Sequence, residues 1–455
     1  MHPFARFSST KRNFLDKPKN RRAWLFVALL LPILLLLFFT SAPKHYYSFR
    51  RLQQRFRAPL NGQCKYGTVY VYDLPPIFNK KLLDNFQDLD LSNDGFGPKA
   101  TDLEGVIPKD LTPAWYSTDK LAGEVMFHSR ISNYKCRTYD PDSATAFYIP
   151  CYAGLASRKH LNGNFSASER DSQFESLLGW LTNQPSWKKS KGADHFIILG
   201  RISSDFRRDS EEKSGSSFLL MPPMSQTLRL SIERSPWDRL DIGMPYPTGF
   251  HPKSNSEVEK WLKFVRTRNR SKLFAFVGGK SKKIEDEDFR DLLLDQCKGF
   301  DSCKVVESEA ASPAILEAYL DSNFCLQPRG DEGFGYTSRS TFDCMLAGSI
   351  PVFFWKRSIH GQYEWFLRDD PERFSVFVEE KQVRNGSSIR KVLEGYGEEE
   401  IQMMRERVSN LIPRFLYYAV AAAAGGGKEK DIRDAFEITV EGVLRRIKEA
   451  SISQQ

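Results

Sequence analysis

The stretch RGDEGFGYTSRSTFDCMLAGSIPVFF, residues 329–354, runs from a glycine-studded loop through a short helical pattern into an apolar strand. Thr337 or Ser338, both good N-cap types, would start the helix, and Gly348 would end it. The unpaired N–H groups and the positive dipole end of such a start suit a diphosphate. Arg329 and Arg339 would add charge. Asp343, about a turn further in, is placed to accept hydrogen bonds from ribose hydroxyls. The same spacing also reads as a plain i,i+4 salt bridge between Arg339 and Asp343, worth only about 0.2–0.5 kcal/mol. The pattern alone does not choose. A second constellation lies in KLAGEVMFHSR (120–130), where Glu124 and His128 share a helix face. They read either as a general base with its orienting partner or as a buried pair that fixes the helix to its neighbours. Asp205 and His251 are rival bases, His251 with a structural reading at an interdomain hinge, and Asp73 reads as a turn cap.

These residues need elements to hold them. Near-continuous apolar runs at 68–74, 144–150, 195–200, 273–278, 303–308, 324–328, 350–354 and 374–379 predict strands buried on both faces. Helical stretches at 288–297, 312–322 and 338–348 lie between several of them. Strands alternating with helices imply α/β architecture with parallel sheets. Two such series, divided near MPYPTGFHP (244–252), predict two Rossmann-like halves facing a cleft, and open α/β sheets bind ligands beyond the C-terminal ends of their strands. The expected organisation is a basic tail (1–22), a membrane segment (23–40), a stem (41–63), a first α/β domain (64–250), a second (251–418), and a low-complexity joint with a terminal helix (419–455).

The net charge of +9 would suit a nucleic-acid partner if it were spread over the chain. It is not: residues 1–57 carry twelve Lys/Arg against Asp16, so the remainder sums to −2. That removes the main support for nucleic-acid binding. Lys17, Lys19, Arg21 and Arg22 precede seventeen uncharged residues, Ala23 to Phe39. This is the pattern of a signal-anchor with its positive flank in the cytosol; a cleaved signal peptide ending near Ser41–Ala42 is the alternative. The bulk of the chain would then face a lumen. Sequons at Asn164, Asn269 and Asn385 fit that side. Seven cysteines at 64, 136, 151, 297, 303, 325 and 344 show no zinc spacing. Cys297 and Cys303 are the easiest to imagine bridged, and the odd count leaves a thiol over.

TSRSTFDCMLAGSIPVFF resembles the C-terminal signature of exostosin-like glycosyltransferases. VYVYDLPPIFN, GEVMFHSRISNYKCRTYDPDSATAFYIPCYAGL, GADHFIILGRISSDFRR, SPWDRLDIGMPYPTGFHP and DSNFCLQPRGD, in that order, resemble the plant xyloglucan galactosyltransferase branch across roughly 64–415. The resemblance implies a GT-B fold, a single-pass type II Golgi membrane protein, and inverting, metal-independent transfer from a nucleotide sugar, UDP-galactose in this branch, to a polysaccharide. It implies that Asp343 holds the ribose, that Arg339 and Ser340 sit at the helix start by the pyrophosphate, and that Gly278 lets a phosphate approach. It also places Arg201, Asp205, Arg207 and Arg208 in a charged motif at the mouth of the first domain.

Several positions depart from the branch. Ser204 stands where a Trp is usual, and extra residues surround EGFG in the donor loop. The Arg expected after the FVGG turn is replaced by Lys280, Lys282 and Lys283, which would bind phosphate as point charges. WKRSIHGQYEWF differs where a His-Pro pair is common. These departures bear on which sugar is moved, so UDP-galacturonic acid and UDP-arabinose remain alternative donors. A non-catalytic glycan-binding subunit of a synthase complex is an alternative from another class, and a complex with other Golgi glycosyltransferases is compatible with each. A DxD triplet, DLD (88–90), has no apolar strand before it, and no metal is expected. Trp115, Tyr116, Tyr152 and Trp187 lie in or near loops of the first half, where aromatic faces can stack on sugars, though most aromatics are core.

Overall fold

Among the described residues eleven short strands form two all-parallel sheets. The computed structural model describes residues 64–86, 89–160, 164–278, 287–306, 313–329, 335–419 and 433–453. The expected tail, membrane segment and stem lie outside these; among the described residues no helix is long and apolar enough to cross a membrane.

The first sheet holds β1 (Val69–Val71), β2 (Arg137–Thr138), β3 (Ala146–Ile149), β4 (His195–Ile202), β5 (Leu228–Glu233) and β6 (Asp241–Gly243), in the order β2-β1-β3-β4-β5-β6. The second holds β7 (Lys272–Val277), β8 (Cys303–Val306), β9 (Ser322–Gln327), β10 (Ile350–Phe353) and β11 (Val376–Phe377), in the order β11-β10-β9-β7-β8. Both are doubly wound, and in each the order reverses between the first strand and the third. Ligands bind at such switch points, beyond the C-terminal strand ends. In the second sheet the switch point lies between β7 and β9, which lead directly into Gly278 and Arg329. The architecture is α/β with two parallel sheets, consistent with the GT-B arrangement that the resemblance implies.

The apolar runs became strands because both faces are covered: β3, β4 and β10 are buried at every residue. Three strands of the first sheet, β2, β5 and β6, escaped the sequence pattern. β5 alternates as LRLSIE, which suggests an exposed face, yet Arg229, Ser231 and Glu233 are all buried. They are tolerated because each has a partner: Arg229 donates to the carbonyls of Met224 and Thr227 at 2.8 Å, and Ser231 Oγ donates to Asp241 Oδ1 at 3.0 Å. β6 is only three residues long.

Five helices position the site: α1 (Gly123–Ser132), α2 (Asn255–Thr267), α3 (Arg339–Leu346), α4 (Glu398–Phe415) and α5 (Ala435–Ser453). Aromatic contacts close the seam between the lobes. Trp261 of α2 packs on Trp115 and Phe250, with ring centroids 5.1 and 5.3 Å away, and donates Nε1–H to Leu346 O at 2.9 Å. Tyr363 Oη donates to Ile232 O at 2.9 Å. After α4 the chain returns to the first lobe. There Phe436 of α5 packs on Phe127 of α1 at 5.3 Å, and Arg130 pairs with Asp434.

Disulfides join Cys64 to Cys136, Cys297 to Cys303 and Cys325 to Cys344, leaving Cys151 as a buried thiol.

Candidate active site

The donor-side helix is α3. Ser338 caps it, its Oγ accepting from the Ser340 amide at 3.2 Å. Gly348 just beyond its end takes φ +71°, a left-handed stop that suits glycine. The apolar face of α3 is fixed by Phe342, whose ring meets those of Tyr363 and Phe415 at 4.9 and 5.4 Å, and by the bond from Cys344 to Cys325 on β9. Ser340 Oγ adds a hydrogen bond to Gln327 Oε1 at 2.7 Å.

The opposite face turns Arg339 and Asp343 toward the first lobe. Their side chains are 18% and 24% exposed, with Arg339 Nε 3.2 Å from Asp343 Oδ2. Together they line a cavity with Trp115 and Tyr116 of the first lobe and Pro313 and Leu316 of the second. The salt bridge forms, and it lies on the cavity rather than on a solvated helix face. Burial pushes the Asp343 carboxyl up, and the Arg339 charge works against it. Arg339 also donates to Thr118 O across the seam.

The amides at the helix start are arranged differently from expectation. Thr337 donates both its N–H and its Oγ1–H to Glu233 Oε2, each at 2.8 Å. With the Ser340 amide taken by Ser338, two of the N–H groups expected to grip a diphosphate are satisfied within the protein. A buried N–H left unpaired is costly, and a carboxylate from the first lobe removes that cost.

Cations gather at the switch point instead. Gly278 leaves β7 at φ +146°, and a Cβ there would lie 3.1 Å from Arg290 Nη1. Arg290 is buried and donates to Arg329 O at 2.6 Å. It is thus a cation beside Gly278; Lys280, Lys282 and Lys283 lie outside the described residues. The Arg329 guanidinium sits over the Tyr336 and Trp355 rings at 4.2 and 5.1 Å, and Arg357 over Tyr336 at 4.4 Å.

Glu124 and His128 do not partner each other. Glu124 is 0% exposed, and its Oε1 accepts from the amides of Gly154 and Gly200 at 2.7 and 2.8 Å. It ties α1 to the helical turn Ala153–Arg158 after β3 and to β4 itself. Burial raises its pKa to about 7 against those two hydrogen bonds. His128 Nδ1 meets Tyr152 Oη at 2.9 Å, and burial, with Lys80 and Arg137 nearby, lowers its pKa to about 4. One helix face did not bring the two together, because each found a partner on another element.

The rival bases are also engaged. His251 is fully buried between Thr118 Oγ1 and Tyr417 O, at 2.8 and 2.7 Å, and burial lowers its pKa to about 3. Its place is at the seam, as the hinge reading had it. The charged motif forms ion pairs within the first lobe: Arg201 with Asp205 at 2.6 Å, Arg207 with Asp238 at 2.7 Å, and Arg208 with Asp171. Asp73 is exposed. Trp115, Tyr116, Tyr152 and Trp187 are all buried; only the first two line the crevice.

Sequence reasoning missed Glu233. The last residue of β5, it crosses from the first lobe to the entrance of α3. A carboxylate closing a β-branched and leucine-containing run was the available signal, but the alternation in LRLSIE hid the strand. Asn164, Asn269 and Asn385 are all exposed. Among the described residues no group of three or more His, Cys, Asp or Glu is placed to hold a metal ion. Of the DLD triplet, Asp88 falls outside the described residues and Asp90 is exposed.

Comparison with known proteins adds identity to this geometry. Residues 63–393 match the exostosin GT47 domain. Xyloglucan galactosyltransferase XLT2 of Arabidopsis thaliana is 49% identical over 402 residues, 85% of this chain and 76% of that protein. Xyloglucan galactosyltransferase MUR3 of the same plant is 37% identical over 84% of this chain, a match that spans 63% of MUR3. Xyloglucan-specific galacturonosyltransferase 1, also from Arabidopsis thaliana, is 34% identical over 85% of this chain and 58% of its own. The matched region contains both sheets and every residue of the crevice described above, and the chain belongs to the exostosin GT47 family.

Proposed function

We propose that this protein is an inverting hexosyltransferase that moves galactose from UDP-galactose onto side chains of xyloglucan. We further propose that it works on the lumenal side of the Golgi membrane, anchored by residues 23–40. The observation that carries the reading is Asp343, a partly exposed carboxylate in the crevice between two doubly wound sheets, one turn inside the helix that follows the switch-point strand. The similarity to XLT2 and MUR3 supports the sugar and the acceptor.

Asp343 would accept hydrogen bonds from the ribose hydroxyls, with the uracil against the apolar wall at Pro313 and Leu316. The diphosphate would run toward the start of α3, where Arg290, Arg329 and Arg357 supply positive charge near the leaving group. The acceptor hydroxyl would enter from the first lobe and attack the anomeric carbon from the face opposite the diphosphate, which inverts the configuration. In this scheme the protein's cations do the work a metal would otherwise do.

The test is a donor panel. Full-length protein in detergent is incubated with xyloglucan oligosaccharides and UDP-galactose, UDP-galacturonic acid or UDP-arabinose, and products are weighed by mass spectrometry. A hexose increment with UDP-galactose alone supports the proposal. Transfer of galacturonic acid would favour the second donor, for which the two guanidiniums on Tyr336 are a specific argument, since a uronate needs a cation. UDP binding with no transfer to any acceptor would favour the non-catalytic subunit.

A further inference from the structure

Inverting transfer needs a group to take the proton of the acceptor hydroxyl. The expected candidates are ill-placed: Glu124 and His251 are sealed, Asp205 is paired with Arg201, and His128 is a weak base bonded to Tyr152. Glu233 has the location they lack. It ends β5, on the C-terminal edge of the first sheet, so it comes from the acceptor side. Its Oε2 reaches Thr337 N and Oγ1 at 2.8 Å, on the donor side. Even the donor loop makes room for it, because a Cβ on Gly335 would lie 3.3 Å from that oxygen.

Its distance along the helix also fits. Asp343 is four residues beyond Arg339, about 6 Å along α3 at 1.5 Å per residue, and Thr337 lies two residues further back through the extended Ser338, so Asp343 and Thr337 are on the order of 10 Å apart. That is comparable to the reach from ribose hydroxyls, through a diphosphate, to the anomeric carbon. A donor whose ribose rests on Asp343 and whose diphosphate runs back along the start of α3 therefore puts its reacting carbon beside Glu233.

We propose that Glu233 is the general base of the transfer, an inference that rests on the transferase reading above. Its carboxylate takes the proton from the acceptor O–H as that oxygen bonds to the anomeric carbon. The bond from this carbon to the diphosphate oxygen breaks, and the electron pair leaves with UDP. The proton on Glu233 passes to solvent after product release. Arg357 and the Tyr363 hydroxyl are the charged and titratable groups that face the carboxylate, with Thr337 donating to it. Burial raises its affinity for a proton above that of an ordinary glutamate, and the Thr337 hydrogen bonds and the Arg357 charge restrain the rise. A raised carboxylate is the better base.

The test compares Glu233→Gln and Glu233→Asp with the wild type in the full-length protein. Glutamine keeps an oxygen for Thr337 but cannot take a proton. The expected result is a kcat lower by about 10²–10⁴-fold in Glu233→Gln. UDP affinity by calorimetry should stay within about threefold, with partial activity in Glu233→Asp. The acid limb of the wild-type kcat profile should also be absent from Glu233→Gln. A Glu233→Gln kcat within about threefold of wild type overturns the assignment. So does a loss confined to melting temperature and UDP affinity that saturating donor restores, which would make Glu233 a strut between the lobes. The comparison uses whichever UDP-sugar the wild type transfers, so a wrong sugar overturns the galactose reading without touching the base. A wild type inert with every UDP-sugar overturns both.

Discussion

Asp343 Oδ2 lies 3.2 Å from Arg339 Nε, one helical turn away, and the pair faces the crevice from the second lobe with Trp115 and Tyr116 opposite. The arginine is held in turn by Thr118 O of the first lobe. A salt bridge that would count for little on a solvated helix here orients a carboxylate into the crevice. Asp343→Asn removes the charge that would accept from ribose in the proposed donor pose and leaves Arg339 its carbonyl partner. Hydrogen bonds to a charged group contribute about 1.5–3 kcal/mol, so UDP should bind about 10–100-fold more weakly with little change in melting temperature. Calorimetric titration with UDP measures this; unchanged affinity would remove Asp343 from the donor site.

Glu124 gives a pH-dependent stability. Its pKa rises from an ordinary 4.5 to about 7 in the folded chain, so between those values the native state holds a proton that the unfolded chain has released. The stabilisation is complete below 4.5 and is lost as pH climbs through 7. Glu124→Gln keeps an oxygen for the Gly154 and Gly200 amides and does not titrate. Its melting temperature relative to wild type should therefore rise between pH 5 and 8, by about 3 °C. A difference that stays flat across that range would contradict the raised pKa.

The bond between Cys325 and Cys344 pins α3 to β9, beside Asp343. Its ends are 19 residues apart, and closing a loop of that size stabilises by about 3 kcal/mol in the chain-entropy account. Replacing both cysteines with alanine should lower unfolding free energy by about that amount in denaturant titrations. UDP affinity should fall too, because the helix that presents Asp343 loses its tether. Full affinity in a destabilised variant would show that packing of Phe342 alone positions the helix.

Trp237, four residues after Glu233, is 87% exposed. A bare indole face on the loop that leaves β5 is suited to stacking on a sugar ring of the acceptor chain. Trp237→Ala should raise the acceptor KM by about tenfold and leave kcat at saturation nearly unchanged, the signature of binding shared equally by ground and transition states. Steady-state kinetics with xyloglucan oligosaccharides of increasing length distinguishes this; an unaltered KM throughout would separate the ring from the acceptor.

Much of the second lobe was legible in the primary structure. The runs at β7, β9 and β10 and the cap and stop of α3 follow from contiguous signals: apolar stretches, Ser338, Gly348. The first lobe was legible only in part. β5 buries Arg229 and Glu233 with partners that lie near it in space, Asp238 and Thr337, and alternation read along the chain cannot reveal them. The Glu124–His128 spacing shows the converse: neighbours on a helix face need not be partners when other elements supply better ones.

The amino-acid order by itself determined the elements, the family motifs and the carboxylate of α3, because periodicity, caps and turn residues act over a few positions. Which acidic side chain spans the two lobes was decided by tertiary structure alone. Glu124 has two amides from its own lobe closed over it, whereas Glu233 ends a strand at the seam and takes its donors from the other lobe. Burial and partner choice depend on what the rest of the chain brings up against a residue, and that is a property of the fold.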